Sequence, residues 1–250
     1  MNIIHRISSF FKTRKNQSIR KKFLDRFDSF EKVQFGPFKG LVYPTGISIG
    51  SSSLPKLLGS YECELHSFFE SIRTNNYSLI ADVGCAEGFY LVALKKWFPS
   101  AKVIGFDIDP LAPELCVKLG EANGLQEEIA VSENFDWSYL QSVPGRKLLI
   151  MDVEGAEMAF LKQAKLTDFN HCDILVEVHD WMMEGDFGKL LAETLEGTHS
   201  LSTTWSWDKE RKKFNFQNFL STFDPVIQDL WVEEGRKMSM YWIIARYIDK

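Results

Sequence analysis

An α/β fold, built on a doubly wound, mostly parallel sheet with an antiparallel closing strand, follows from three observations. Short, mostly apolar runs at 79–81, 101–106, 147–151 and 173–176 each stop at an acidic residue, and turn or helical patterns follow them. Between the first run and its helix lies a turn with glycines at 84 and 88. Strand, glycine turn and helix together open a Rossmann-like βαβ unit. Two late patterns, Ser200–Trp207 and Met240–Tyr247, are joined by a long excursion, which suits a closing antiparallel pair.

The N-terminal segment stands apart in charge. Up to Lys22 there are seven Lys or Arg and no acidic residue, while Ile3, Ile4, Ile7, Phe10 and Phe11 share one helical face. Ile19, Phe23, Phe27 and Phe30 repeat that pattern, so residues 1–34 read as a basic amphipathic helical arm. Such an arm can dock on its own chain, on a second copy, or on an anionic membrane surface. Residues 35–60 are rich in Gly, Pro and Ser, as expected of a loop capping a cleft. A helix is expected over Glu62–Arg73, with Glu62 as an acid favoured at a helix N-terminus.

The strand into Asp82 comes next, then the turn Val83-Gly84-Cys85-Ala86-Glu87-Gly88 and a helix from Phe89. A second strand ends at Asp107, and Ile108-Asp109-Pro110 begins the following turn. The strand 147–151 ends at Asp152, and Val153-Glu154-Gly155-Ala156-Glu157 carries two more acids into a helix. Glu157 reads as a first-turn helix acid. The strand 173–176 ends in Glu177-Val178-His179-Asp180, and a helix near Phe187–Leu195 follows. The excursion at 208–238 contains Lys209-Glu210-Arg211-Lys212-Lys213, a pattern usual for a solvated face. Residues 35–250 are expected to form one domain.

Composition narrows the function classes. With 45% hydrophobic and 25% charged residues the chain is an ordinary globular one, and a net charge of −5 argues against nucleic acid as a partner. The four cysteines are dispersed without a Cys-x-x-Cys pair, as expected of reduced thiols in a cytoplasmic protein. No apolar run approaches the roughly eighteen residues of a membrane span. The expected location is therefore cytoplasmic, with the arm as the one segment suited to a peripheral membrane contact or a homo-oligomer.

The chemistry is read from the strand ends. The turn spacing is Asp-x-Gly-x-x-x-Gly, not the Gly-x-Gly-x-x-Gly of dinucleotide enzymes. Asp82 and Glu87 make an acidic turn better matched to a cationic ligand than to a pyrophosphate. Asp107 lies about twenty residues beyond the turn, where an acid can accept ribose hydroxyls. In an open α/β sheet ligands bind beyond the carboxyl ends of the strands, where Asp82, Asp107, Asp152 and Glu177/His179 all fall.

This βαβ unit resembles the cofactor half of the class I S-adenosylmethionine-dependent methyltransferases. Asp152-Val153-Glu154-Gly155-Ala156-Glu157 and Glu177-Val178-His179 resemble the segments after the fourth and fifth strands of the FkbM family of methyltransferases. The likeness spans about residues 60–185. The chain departs from the family at Cys85-Ala86-Glu87, where an asparagine is common, and at Asp107-Ile108-Asp109-Pro110, where Glu-Pro is common.

The resemblance implies S-adenosylmethionine as cofactor, held by Asp82, Gly84, Cys85, Ala86, Gly88, Asp107 and Ile108. It implies O-methylation of a sugar or other small hydroxyl compound. His179 is the candidate general base, with Glu177 or Asp180 to orient it, and Asp152 and Glu154 face the reacting end. The same acids and imidazole could accept Mg²⁺ or Mn²⁺, although no fixed ligand spacing requires a metal. Two other readings stay open: an NAD-dependent oxidoreductase, which the glycine spacing disfavours, and a non-catalytic module binding a protein or membrane through the arm.

Overall fold

The computed structural model describes residues 31–44, 47–49, 51–235 and 240–249. The arm at 1–30 lies outside the described residues. The rest falls into two compact units: residues 31–63 with 207–235, and Glu64–Ser206 with 240–249.

The larger unit is a seven-stranded sheet with helices on both faces. Its strands are β1 (Tyr77–Val83), β2 (Lys102–Phe106), β3 (Ala130–Ser132), β4 (Arg146–Met151), β5 (Cys172–Val178), β6 (His199–Trp205) and β7 (Tyr241–Tyr247). They lie in the order β3-β2-β1-β4-β5-β7-β6. β1 to β5 are parallel, and β7 runs antiparallel to both β5 and β6. This is the α/β sheet with an antiparallel closing strand that the sequence predicts.

The pattern of apolar residues explains the layering. β1, β4 and β5 are central, so helices cover both faces and their side chains are buried almost throughout. Leu79, Ala81, Val83, Leu149, Met151, Ile174 and Val176 form the middle of one core, against Trp137, Phe169 and Phe187. At the other end of the strands, Asp173 is fully buried and ties four strands together. It accepts from Arg146 Nε at 3.1 Å and Nη2 at 3.0 Å, from Tyr77 Oη at 2.6 Å and from the Tyr247 amide at 3.0 Å. Burial, followed by the neighbouring Asp173 charge, raises the Tyr77 hydroxyl well above its ordinary pKa, so it remains a donor.

The sheet reverses its winding between β1 and β4, and the carboxyl ends of strands at such a reversal are where open α/β sheets bind ligands. Asp82 pairs in register with Gly105 and Ile150, and Val83 with Phe106 and Met151. At the closing edge, Val178 pairs with Tyr241 and Trp205 with Tyr241. β3 is an addition to the strands expected from sequence. It has three residues, all partly or fully exposed, and therefore lacks an apolar signature.

In the smaller unit the helix Ser53–Leu58 is buried along its length and packs on the helix Pro225–Val232. Ser60 Oγ donates to the Trp231 carbonyl at 2.9 Å, and Phe219 stacks edge-on to both Phe35 and Trp231. Lys212, from the charge run expected to be solvated, is instead buried and ion-paired to Glu234. Glu62 does not begin an α-helix: its φ is 46°, and its amide donates to Glu234 at 2.9 Å. The α-helix expected over Glu62–Arg73 is His66–Ile72.

Candidate functional site

The glycine turn after β1 is packed against both neighbouring strands. The amides of Gly84 and Cys85 donate to the Phe106 carbonyl at 2.7 and 3.2 Å, tying the turn to β2. The Asp152 amide donates to the Val83 carbonyl at 2.9 Å, tying it to β4. Gly84 has φ 85°, and a Cβ placed there would lie 1.6 Å from the Asp152 carbonyl oxygen, so only glycine fits. Gly88 has φ 85° and caps the helix Phe89–Trp97.

Asp107 braces this turn directly. Its Oδ2 accepts from the Ala86 amide at 2.7 Å, and its Oδ1 accepts from the Asp109 amide at 2.8 Å. Ala86 has a left-handed backbone, φ 48°, which turns its N–H toward the acid. Asp82 and Glu87 are both buried in and beside the turn. Ile108, next to Asp107, is 84% exposed. Cys85 and Cys116 pack with sulfurs 4.0 Å apart. The hydrogen bond with Cys116 and then burial push the Cys85 thiol far above its ordinary pKa, which makes it a packing residue of the turn and no nucleophile.

A second group assembles at the ends of β4 and β5. His179 follows β5 immediately and is fully buried. Its Nδ1 lies 2.6 Å from Glu157 Oε1, and Glu157 is also fully buried as the first residue of the helix Glu157–Gln163. Its Nε2 makes no hydrogen bond and faces Glu154 Oε2 at 3.5 Å, Asp152 Oδ1 at 3.8 Å and Glu177 Oε2 at 3.8 Å. Burial alone would lower the His179 pKa, but the bond to Glu157 and the charges of Glu177, Glu157 and Glu154 outweigh it and raise it. Glu154 has a left-handed backbone, φ 49°, and its side chain, largely exposed, reaches the imidazole from the solvent side.

The loop after His179 finishes the rim. Trp181 packs edge-on to the imidazole at 5.4 Å, and Trp181 and Met182 are both exposed. Tyr241 Oη donates to Asp180 at 2.9 Å, and its ring packs on exposed Trp205 at 4.8 Å.

The structure thus brings the sequence-derived residues into two groups. Gly84, Cys85, Ala86, Gly88 and Asp107 meet in one turn with Asp82 at its base and Ile108 at its edge. Asp152, Glu154 and His179 meet in the other, with ligand-type atoms within 4.8 Å of one another. The groups join where Gly84 and Val83 touch Asp152. One expectation is corrected: Asp180 bonds Tyr241, and the carboxylate on His179 Nδ1 is Glu157, not Glu177 or Asp180. A first-turn acid and a buried partner look alike in sequence. The available signal is its place in the segment 152–157, opposite a strand-end histidine.

No protein-family model matches the chain, and no curated protein matches it. Solved structures similar to it include an O-methyltransferase from Bacillus cereus in complex with SAH, 11% identical, covering 76% of this chain and 80% of that one with a TM-score of 0.47. An rRNA methylase from Streptococcus thermophilus is 9% identical, covering 74% of this chain and 97% of that one with a TM-score of 0.45. Among the described residues, no helix is long and apolar enough to cross a membrane.

Proposed function

We propose that the chain is an S-adenosylmethionine-dependent methyltransferase that methylates a hydroxyl of a sugar or other small metabolite. The observation that carries this reading is the junction at Asp152: the Asp107-braced glycine turn and the His179 group share one crevice at the sheet's switch point.

The turn suits that cofactor on the chemistry of its residues. Asp107 retains lone pairs on both oxygens for a ribose diol, since each accepts a single backbone N–H. Exposed Ile108 offers an apolar face to a purine, and the bare backbone at Gly84 and Gly88 allows close approach. Asp82 and Glu87 favour a ligand carrying positive charge. When bound, the cofactor supplies a methyl group on a sulfonium, so the protein's task is to align and deprotonate the acceptor.

His179 is the proposed base. With Nδ1 held by Glu157, Nε2 is the unbonded atom of the ring; it lies buried behind the exposed Glu154, and an acceptor hydroxyl that displaces that side chain can hand over its proton there. Asp152 and Glu154 flank that atom and can accept further hydroxyl bonds of the acceptor. Residues 35–250 form the proposed catalytic domain, and 1–34 a docking arm.

The test is His179→Ala with an acceptor panel of sugars and hydroxylated metabolites. Turnover should fall by about 10²–10⁴-fold while binding of S-adenosylhomocysteine is retained. Unchanged turnover would remove His179 from the chemistry.

A further inference from the structure

The acceptor rim holds an arrangement that base catalysis alone does not use. Three donor atoms, from His179, Asp152 and Glu154, lie within 4.8 Å of one another, on loops following two adjacent parallel strands. We infer that they form a divalent-cation site, with His179 Nε2 and one carboxylate oxygen each from Asp152 and Glu154 as ligands. The inference rests on reading this rim as the acceptor end and adds a second occupancy to it.

Four features support the site. First, His179 is fully buried, yet its Nε2 makes no hydrogen bond and points into the group of carboxylates. Leaving a buried nitrogen bare is costly, so the fold holds this atom for a ligand. Second, the spacing fits. Ligands about 2.1 Å from one ion stand about 3.0 Å apart when adjacent and about 4.2 Å apart when opposite. The Nε2–oxygen separations of 3.5 and 3.8 Å fall inside that range.

Third, the imidazole is braced from behind. Glu157 fixes Nδ1 at 2.6 Å, giving the carboxylate–histidine pair that orients metal-bound imidazoles and strengthens them as donors. Fourth, negative charge is concentrated around the ring. Asp152, Glu154, Glu157 and Glu177 each place an oxygen within 4 Å of one imidazole, and a cation among them relieves their mutual repulsion.

One nitrogen and two carboxylate oxygens suit Mn²⁺ or Zn²⁺ better than Ca²⁺. Glu154 is largely exposed, so on its side the ion would keep a position open for water or for an acceptor hydroxyl. Such an ion would supply Lewis-acid acidification of an acceptor hydroxyl. In that state Nε2 is a ligand, and in the ion-free state it is the base.

The experiment is titration of the full chain with Mn²⁺, followed by the electron paramagnetic resonance of free Mn²⁺, with Zn²⁺ and Ca²⁺ titrated by calorimetry. One tight Mn²⁺ per chain is expected. His179→Ala and Asp152→Asn should each weaken it at least tenfold, and Glu157→Gln about 10–100-fold through the imidazole. Glu154→Gln, at an exposed position, should weaken it without touching the fold. Thermal unfolding and S-adenosylhomocysteine titration of each variant serve as folding controls.

Absence of Mn²⁺ and Zn²⁺ binding, or binding that survives both His179→Ala and Asp152→Asn, would overturn the site. Binding of the sulfur cofactors without the ion sinks only this inference. Binding of the ion without those cofactors sinks only the methyltransferase reading.

Discussion

Replacing Gly84 by alanine tests the junction on which the site depends. At φ 85° an L-residue pays about 1–2 kcal/mol for the left-handed backbone alone. The added Cβ would also lie 1.6 Å from the Asp152 carbonyl oxygen, a backbone atom that cannot rotate aside. The end of β4 must move, and overpacking of that kind costs about a further 1–3 kcal/mol. The sum is about 2–5 kcal/mol, or roughly 4–20 °C in Tm for a domain of this size.

Gly124→Ala is the matched control. Gly124 has φ 73°, and a methyl group added there would meet nothing within 4 Å, so only the backbone cost applies. Urea and thermal unfolding of both variants, followed by circular dichroism, would isolate the clash as their difference. Gly84→Ala should also weaken S-adenosylhomocysteine binding, while Gly124→Ala should not. Equal losses of stability, with cofactor affinity unchanged in both, would refute the claim that the turn is wedged against β4.

Three further outcomes follow from the same geometry. Asp173→Ala leaves Arg146 and Tyr77 without their shared buried partner and should cost about 3–5 kcal/mol in urea unfolding, with no direct effect at the opposite rim. Asp107→Asn keeps the size of the side chain but removes one acceptor oxygen from a group already holding the Ala86 and Asp109 amides; calorimetry should show at least a tenfold loss of S-adenosylmethionine affinity. Because the Cys85 pKa is raised, its thiolate fraction at pH 8 is negligible, where an ordinary thiol would be about a quarter ionised. Iodoacetamide at that pH should leave Cys85 unmodified in the folded protein by peptide mass spectrometry, and label it after unfolding.

The parts of this fold that are legible in sequence are those where burial imposes a simple pattern. Central parallel strands buried on both faces read as apolar runs, and a polar group follows where the chain leaves the sheet, as at Asp107 and Asp152, while Asp82 sits one residue inside the end of β1. The glycines at 84 and 88 are legible because the backbone there excludes side chains. β3 is not, because an exposed edge strand of three residues needs no apolar alternation.

Glu157 is hidden for a different reason. A carboxylate in a first helical turn is favoured by the helix dipole whether it faces solvent or a buried imidazole, and only the placement of β5 beside β4 decides which. Lys212 makes the same point in the smaller unit. Its neighbours in the charge run suggest solvent, yet its own side chain is buried against Glu234, twenty-two residues away.

Whether the crevice beside Asp152 holds a sulfonium cofactor is decided by calorimetric titration of the purified chain with S-adenosylmethionine, S-adenosylhomocysteine and NAD. Micromolar binding of both sulfur compounds is expected, with no binding of NAD and a loss of affinity in Asp107→Asn. Folded protein that binds neither sulfur compound, or that binds NAD instead, would contradict the methyltransferase reading.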